Sequence, residues 1–275
     1  MRDKNMDCSQ SKGDKNMDSS IQPSKFNTED MTQIRYMDTT TAYNLWSEVY
    51  DTDGNFLQAL DTIQMKSLFP RFLAEIPKSS SWKLIDLGCG TGRNTSALLK
   101  IPNSEVVGLD ASPKMLEVAR NNLEMQVNGS ETTKNVSFAV YDLLGDEGPP
   151  NVAIGADGVV STLVIEHVPL SEYFNAVSRI LKRSGIILVT NMHSDMGQIS
   201  QAGFVDPRTG VKIRPRSYAH KVADVKAEAQ RQGFELVGDV LERSVDNQTC
   251  EELGPRSRKW IGVTVWFGMM FRKTV

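Results

Sequence analysis

Cysteine is scarce in this chain. Only Cys8, Cys89 and Cys250 occur in 275 residues. An odd number, widely spread, excludes a disulfide framework and the paired spacing of a zinc site, and fits a reducing compartment. Histidine is equally rare, with His167, His193 and His220 alone. No spacing of Asp, Glu and His suggests a metal site, so no metal is expected. A large charge of one sign is also missing. The formal net charge is −3, which leaves no electrostatic footprint for nucleic acid. The two short basic clusters, Arg256 to Lys259 and Arg272 to Lys273, read as a solvated loop and a strand end. Long apolar runs are lacking too. The most apolar stretch, Trp260 to Phe271, is 12 residues long, too short to span a bilayer. No apolar leader opens the chain. A cytoplasmic protein without membrane or nucleic-acid partners is expected.

What is present is ordinary globular composition, 40% apolar and 24% charged, enough for one core domain with extensions. Residues 1–30 are polar, carry a short internal repeat and read as a disordered tail. Residues 31–78 read as a helical cover. Within it Tyr43, Trp46 and Tyr50 share one helix face, and Asp51 to Gly54 marks a turn. Residues 79–275 alternate strand and helix. Strands are expected at 83–87, 105–109, 136–140, 156–161 and 185–190, and helices at 93–100, 113–126 and 170–183, with Gly185 as the last helix's stop. A helix at 220–232 precedes strands at 234–245 and 260–272, joined by a polar loop without a helix. This pattern argues for a parallel sheet with helices on both faces and an antiparallel closing hairpin. Residues 191–219 exceed what a connection needs and are rich in Met and aromatics, as a lid over a site would be.

Two strand ends carry the chemistry. Leu84 to Gly92 is an apolar run ending in a turn with glycines at 88, 90 and 92. Val106 to Asp110 is an apolar run ending in a carboxylate. Together they describe a nucleotide-like ligand across the carboxyl ends of adjacent parallel strands. The glycines fall at positions one, three and five, whereas a dinucleotide turn requires one, three and six. Glycine lets the backbone turn sharply and approach a ligand. Asp86, just before the turn, suits an ammonium and would repel a phosphate. Asp110 suits ribose hydroxyls.

Acid-x-Gly-x-Gly-x-Gly resembles the first motif of class I S-adenosylmethionine (SAM)-dependent methyltransferases. Glu166-His167-Val168 after the fourth strand, and Ala42 to Asp51, resemble their ubiquinone- and menaquinone-methyltransferase-like subgroup. The details are similar to small-molecule methyltransferases of fungal secondary metabolism. The resemblance implies an α/β, Rossmann-like, seven-stranded, mostly parallel sheet with an N-terminal helical cover, and SAM as cofactor. It implies that Asp86, Gly88, Cys89 and Gly90 form the turn beside SAM, with Cys89 a small packing residue. Asp110, Ala111 and Met115 would hold ribose and adenine. Asp142, followed by Leu143, would accept from the adenine amino group. Thr162 and Leu163 would line the methionine arm, and Tyr43 and Tyr50 would lie over the cofactor.

Methyl transfer from a sulfonium is an in-line displacement, so alignment and desolvation are the protein's main contributions. A protonated hydroxyl or phenol acceptor needs a base, for which His167 and His193 are the candidates. Acceptor contacts are expected from Trp46, Met196, Phe204, Tyr218 and His220, with no acceptor wall from residues 80–190. The expected reaction is N- or O-methylation of a small secondary metabolite. A protein or other macromolecular acceptor, or a non-catalytic SAM-binding regulator, remains an alternative.

Overall fold

The computed structural model describes residues 34–127 and 135–275. The expected tail, residues 1–30, and the loop at Asn128–Gly129 lie outside the described residues. The cover begins with a short strand, β1 (Ile34–Tyr36), where helix was expected, followed by α1 (Thr39–Trp46) and α2 (Phe56–Glu75). Asp38 caps α1 by accepting from the Thr41 amide at 2.8 Å. Asn55 caps α2 by accepting from Leu57 and Gln58. Each side chain satisfies amides that the first helical turn leaves orphaned.

The alternation then runs β2 (Trp82–Leu87), α3 (Arg93–Leu98), β3 (Ser104–Asp110), α4 (Pro113–Val127), β4 (Val136–Val140), β5 (Ala156–Thr162), α5 (Leu170–Ile180) and β6 (Leu181–Met192). Helix α5 stops earlier than expected. Leu181 already pairs with Ala156, and Ser184 takes φ +65° at an irregularity inside β6, so Gly185 is a strand residue and not a helix stop. The segment after β6 holds α6 (Ser194–Ile199), β7 (Phe204–Val205) and β8 (Lys212–Arg214). The chain closes with α7 (Val222–Arg231), β9 (Phe234–Ser244), α8 (Asn247–Leu253) and β10 (Thr264–Lys273). The β9–β10 connection therefore does contain a helix. Trp260 ends a 3-10 turn (Pro255–Trp260) and does not start the strand.

Seven strands form one sheet in the order β4-β3-β2-β5-β6-β10-β9. All neighbours are parallel except β10, which runs antiparallel to both β6 and β9. This is a Rossmann-like sheet with an antiparallel closing pair. Successive strand residues point to opposite faces, and here both faces are apolar. Ile85, Val107 and Val159 join Phe174, Val177 and Phe271 on one side. Leu84, Val106 and Val160 join Phe72, Leu188 and Trp266 on the other. Helices thus cover both faces. Asp61 of α2 is fully buried and ties the second layer together. Its carboxylate accepts from Thr190 at 2.5 Å, Trp266 Nε1 at 3.0 Å and Arg93 at 2.6 Å.

A second, three-stranded sheet has the order β1-β8-β7. Ile34, Arg35 and Tyr36 pair in parallel with Lys212, Ile213 and Arg214. The cover and the segment after β6 are therefore hydrogen-bonded into one roof. Its core is Ala42, Trp46, Met115, Phe204 and Ile213, with Phe204 stacked on Trp46 at 5.1 Å between ring centroids.

Candidate functional site

Strand β2 ends in the glycine turn. Gly88 and Gly90 have φ of +72° and +53°, a region that side-chain-bearing residues rarely enter. A Cβ on Gly88 would lie 2.2 Å from Val164. Strand β3 ends in Asp110, whose carboxylate accepts from the amides of Gly90 and Ser112, both at 2.8 Å. Burial still pushes Asp110 up to about 6. Its fixed, acceptor-only oxygens face a cavity of about 340 Å³, a size that suits a nucleoside. The same cavity is lined by Gly88, Gly90, Ala111, Asp142, Leu143, Thr162, His167, Tyr43 and Tyr50. Thr162 is fixed by Asn94, which donates to its hydroxyl at 2.9 Å. Sequence reasoning missed Ser112, Tyr141, Val164 and Arg216 on these walls.

His167 Nδ1 lies 2.7 Å from the Arg216 carbonyl oxygen. A carbonyl only accepts, so Nδ1 carries the proton. The bare Nε2 then accepts from the Tyr43 hydroxyl at 2.8 Å. Burial drives His167 down to about 4 and raises the Tyr43 phenol, so both groups are neutral near pH 7.

A smaller cavity of about 90 Å³ adjoins the first, sharing Tyr43, Tyr50 and Leu163 as walls. Leu163 has φ +58°, a strained setting for a bulky residue, and its amide is held by the Thr190 carbonyl at 2.8 Å. Trp46, Met192, Met196, Glu166, Gln201 and Trp260 line this second space. Leu163 and Glu166, just beyond the end of β5, belong to these walls. Glu166 is 3% exposed. Its Oε2 has no partner, its Oε1 is 3.6 Å from His167, and burial pushes its carboxyl up to about 8. Sequence reasoning noted Glu166 only as part of a family run. The basic cluster expected in a solvated loop contributes Arg256 and Lys259 to the same walls.

Seven of the expected site residues line neither cavity. Asp86 is 1% exposed and accepts from the Thr95 hydroxyl at 2.6 Å, behind the turn. Burial raises its carboxyl to about 6. Cys89 is buried beneath the turn, and Met115 belongs to the roof core. His193 caps α6 through Nδ1 and reaches Glu242 through Nε2 at 2.9 Å, so both ring nitrogens are engaged away from the cavities. Tyr218 and His220 stack on each other. The Tyr218 amide donates to the Glu166 carbonyl at 2.6 Å, and His220 Nε2 donates to the Val168 carbonyl at 2.9 Å. They clamp the segment's end onto the turn that carries Glu166 and His167. Phe204 acts from behind, through Trp46.

Comparison with known proteins gives this geometry a family. A family model described as a methyltransferase domain matches residues 78–243. An uncharacterized methyltransferase of Emericella nidulans is 50% identical over 262 residues, covering 86% of this chain and 91% of the relative. A SAM-dependent methyltransferase from Mesorhizobium loti superposes with TM-score 0.53 at 21% identity, over 74% of this chain and 96% of that one. DhpI, solved with S-adenosylhomocysteine (SAH), superposes with TM-score 0.56 at 17% identity, over 86% and 95%. Among the described residues no helix is long and apolar enough to cross a membrane. The chain belongs to the methyltransferase domain family and has the fold of the SAM-dependent methyltransferases.

Proposed function

We propose that this protein methylates a nitrogen or oxygen of a small secondary metabolite, using SAM, in the cytoplasm. The Glu166-His167-Val168 run supports placing it in the ubiquinone- and menaquinone-like subgroup. The observation that carries the reading is the pair of adjoining cavities. A nucleoside-sized space at the strand ends meets a smaller one across Tyr43, Tyr50 and Leu163. A space of about 90 Å³ suits a small acceptor better than a macromolecular surface.

When bound, SAM supplies an activated methyl group on a sulfonium, open to in-line displacement. Asp110 would hold the ribose hydroxyls, and Asp142 the adenine amino group. Tyr43 and Tyr50 would face the sulfonium, where aromatic faces attract a cation. The roof excludes water and holds the acceptor, and misplacement by about 1 Å costs about a hundredfold in rate. A protonated acceptor must lose its proton. His167 is a poor receiver, because Tyr43 occupies its free nitrogen and burial weakens its basicity. Glu166 Oε2 is unpartnered and sits on the acceptor side. Burial raises its carboxyl to about 8, so the ionised fraction that can take a proton grows as pH rises toward 8, near the operating range of a general base. We assign the base role to Glu166 and the positioning of Tyr43 to His167.

The test is incubation with SAM and a fungal metabolite extract, followed by mass spectrometry for one added methyl group. Glu166→Gln should lower the rate about 10²–10⁴-fold for a hydroxyl acceptor with SAH affinity retained. The reading fails if SAH binds but only a protein or nucleic acid is methylated, or if nothing is.

A further inference from the structure

Glu166, a wall of the smaller cavity, stands 3.6 Å from His167, a wall of the larger one. Lys212, Arg256 and Lys259 also line the smaller cavity and not the larger. They come from β8 and from the 3-10 turn before β10, and in a chain of net charge −3 this is a local concentration of positive charge. Arg256 is already committed to the Asp53 carbonyl, with the Asp53 carboxylate 4.0 Å away. Among the described residues, Lys212 and Lys259 have no acidic partner. Burial, together with repulsion from Arg214, Lys259 and Arg256, lowers the Lys212 ammonium. Lys259 Nζ is held 5.2 Å over the Trp260 ring. Trp260 is 3% exposed, and its indole N–H has no partner. A buried donor without an acceptor costs free energy, and here it stands beside unpaired ammonium groups. A negatively charged group seated here would accept from that N–H and pair with both ammonium groups at once.

We infer that the methyl acceptor carries an oxyanion, a carboxylate or a phosphate, received by Lys212, Lys259 and the Trp260 N–H, while its reactive nitrogen or oxygen lies at the Glu166 end. This inference rests on the methyltransferase reading for the identity of the ligand as acceptor, but the anion site itself does not. Glu166 repels such a ligand little near pH 7, since burial keeps most of it protonated there.

The probes are succinate, its uncharged diamide succinamide, and inorganic phosphate. Each is titrated into the full-length protein at low salt, with and without SAH, and followed by tryptophan fluorescence and calorimetry. Succinate or phosphate should bind at least about tenfold more tightly than succinamide, weaken as salt rises, and lose that advantage in Lys212→Gln/Lys259→Gln while SAH still binds. Whichever anion binds more tightly tells a carboxylate acceptor from a phosphate one. Equal binding of charged and uncharged probes, or unchanged anion binding in the double variant, overturns the inference. If the anions bind as expected but SAH does not, the anion site stands and the methyltransferase reading falls. In the extract assay, the acceptor should be retained on an anion exchanger, and Lys212→Gln should raise KM with little change in kcat. An acceptor recovered only in the neutral or cationic fraction also overturns the inference.

Discussion

At the scale of the residue, Glu166 makes a measurable prediction. Its carboxyl stays protonated in the folded protein up to about pH 8, whereas in the unfolded chain it ionises above 4.5. The unfolded state therefore holds fewer protons between these values, and stability falls as pH rises through the window. Asp86 and Asp110, raised from 3.8 to about 6, act in the same direction but only below 6. His167, lowered from 6.5 to about 4, acts oppositely below 6.5. The other neighbours of Glu166, Tyr43 and Tyr50, are raised above their ordinary range and stay neutral. Between 6.5 and 8 Glu166 dominates this set. Urea midpoints should drop across that interval, and Glu166→Gln should flatten the drop. The two buried aspartates divide differently. Asp110→Ala should weaken SAH binding by about 1–3 kcal/mol, the cost of unpaired hydroxyl partners. Asp86→Asn should change it less, since Asp86 faces Thr95 and no cavity wall. Calorimetry separates the two. The sequence made Asp110 legible because a strand-end carboxylate is a positional feature. It left Glu166 in the shadow of His167, because an unpartnered oxygen exists only once the fold has buried it.

At the scale of the element, the parallel strands were readable because apolar runs ending in Gly or Asp leave a strong pattern. The roof was not. Strands of two or three residues, such as β7, β1 and β8, are too short for any period to register. Residues 191–219 were expected to form a lid, with no sign of pairing to the cover, yet β8 is the hydrogen-bonding partner of β1. Helix α8, seven residues long, was hidden in a polar stretch for the same reason. The pairing predicts a shared fate. A chain truncated through Tyr36 should lose amide-exchange protection in α1 and in residues 204–214 together, while β2 to β5 keep theirs. Loss in α1 alone would show that the two pieces are independent.

At the scale of the whole molecule, Asp61 links α2 to α3, β6 and β10 through three hydrogen bonds. Its partner Arg93 keeps a quarter of its side chain exposed, so the loss on breaking the pair is smaller than for a fully buried one. Asp61→Ala should destabilise the fold by about 2–4 kcal/mol, read from urea unfolding with its slope unchanged. A loss under about 1 kcal/mol would mean that apolar packing alone sets the geometry of this face.

The β1–β8 ladder also carries a consequence for how the molecule is made. Tyr36 and its neighbour Arg214 are 178 residues apart in the chain. During synthesis the amino-terminal strand leaves the ribosome long before its partner has been translated. Five central strands can assemble in the meantime, each beside strands already made. The ends of so long a loop meet late, because closure entropy grows with separation and non-local pairing is slow. The nucleoside-sized basin thus has its strand-end walls while Arg216 is still to come and the basin is open to solvent, and the acceptor chamber is sealed last. A nascent chain stalled before Lys212 should already recognise SAH weakly and discriminate among acceptors not at all.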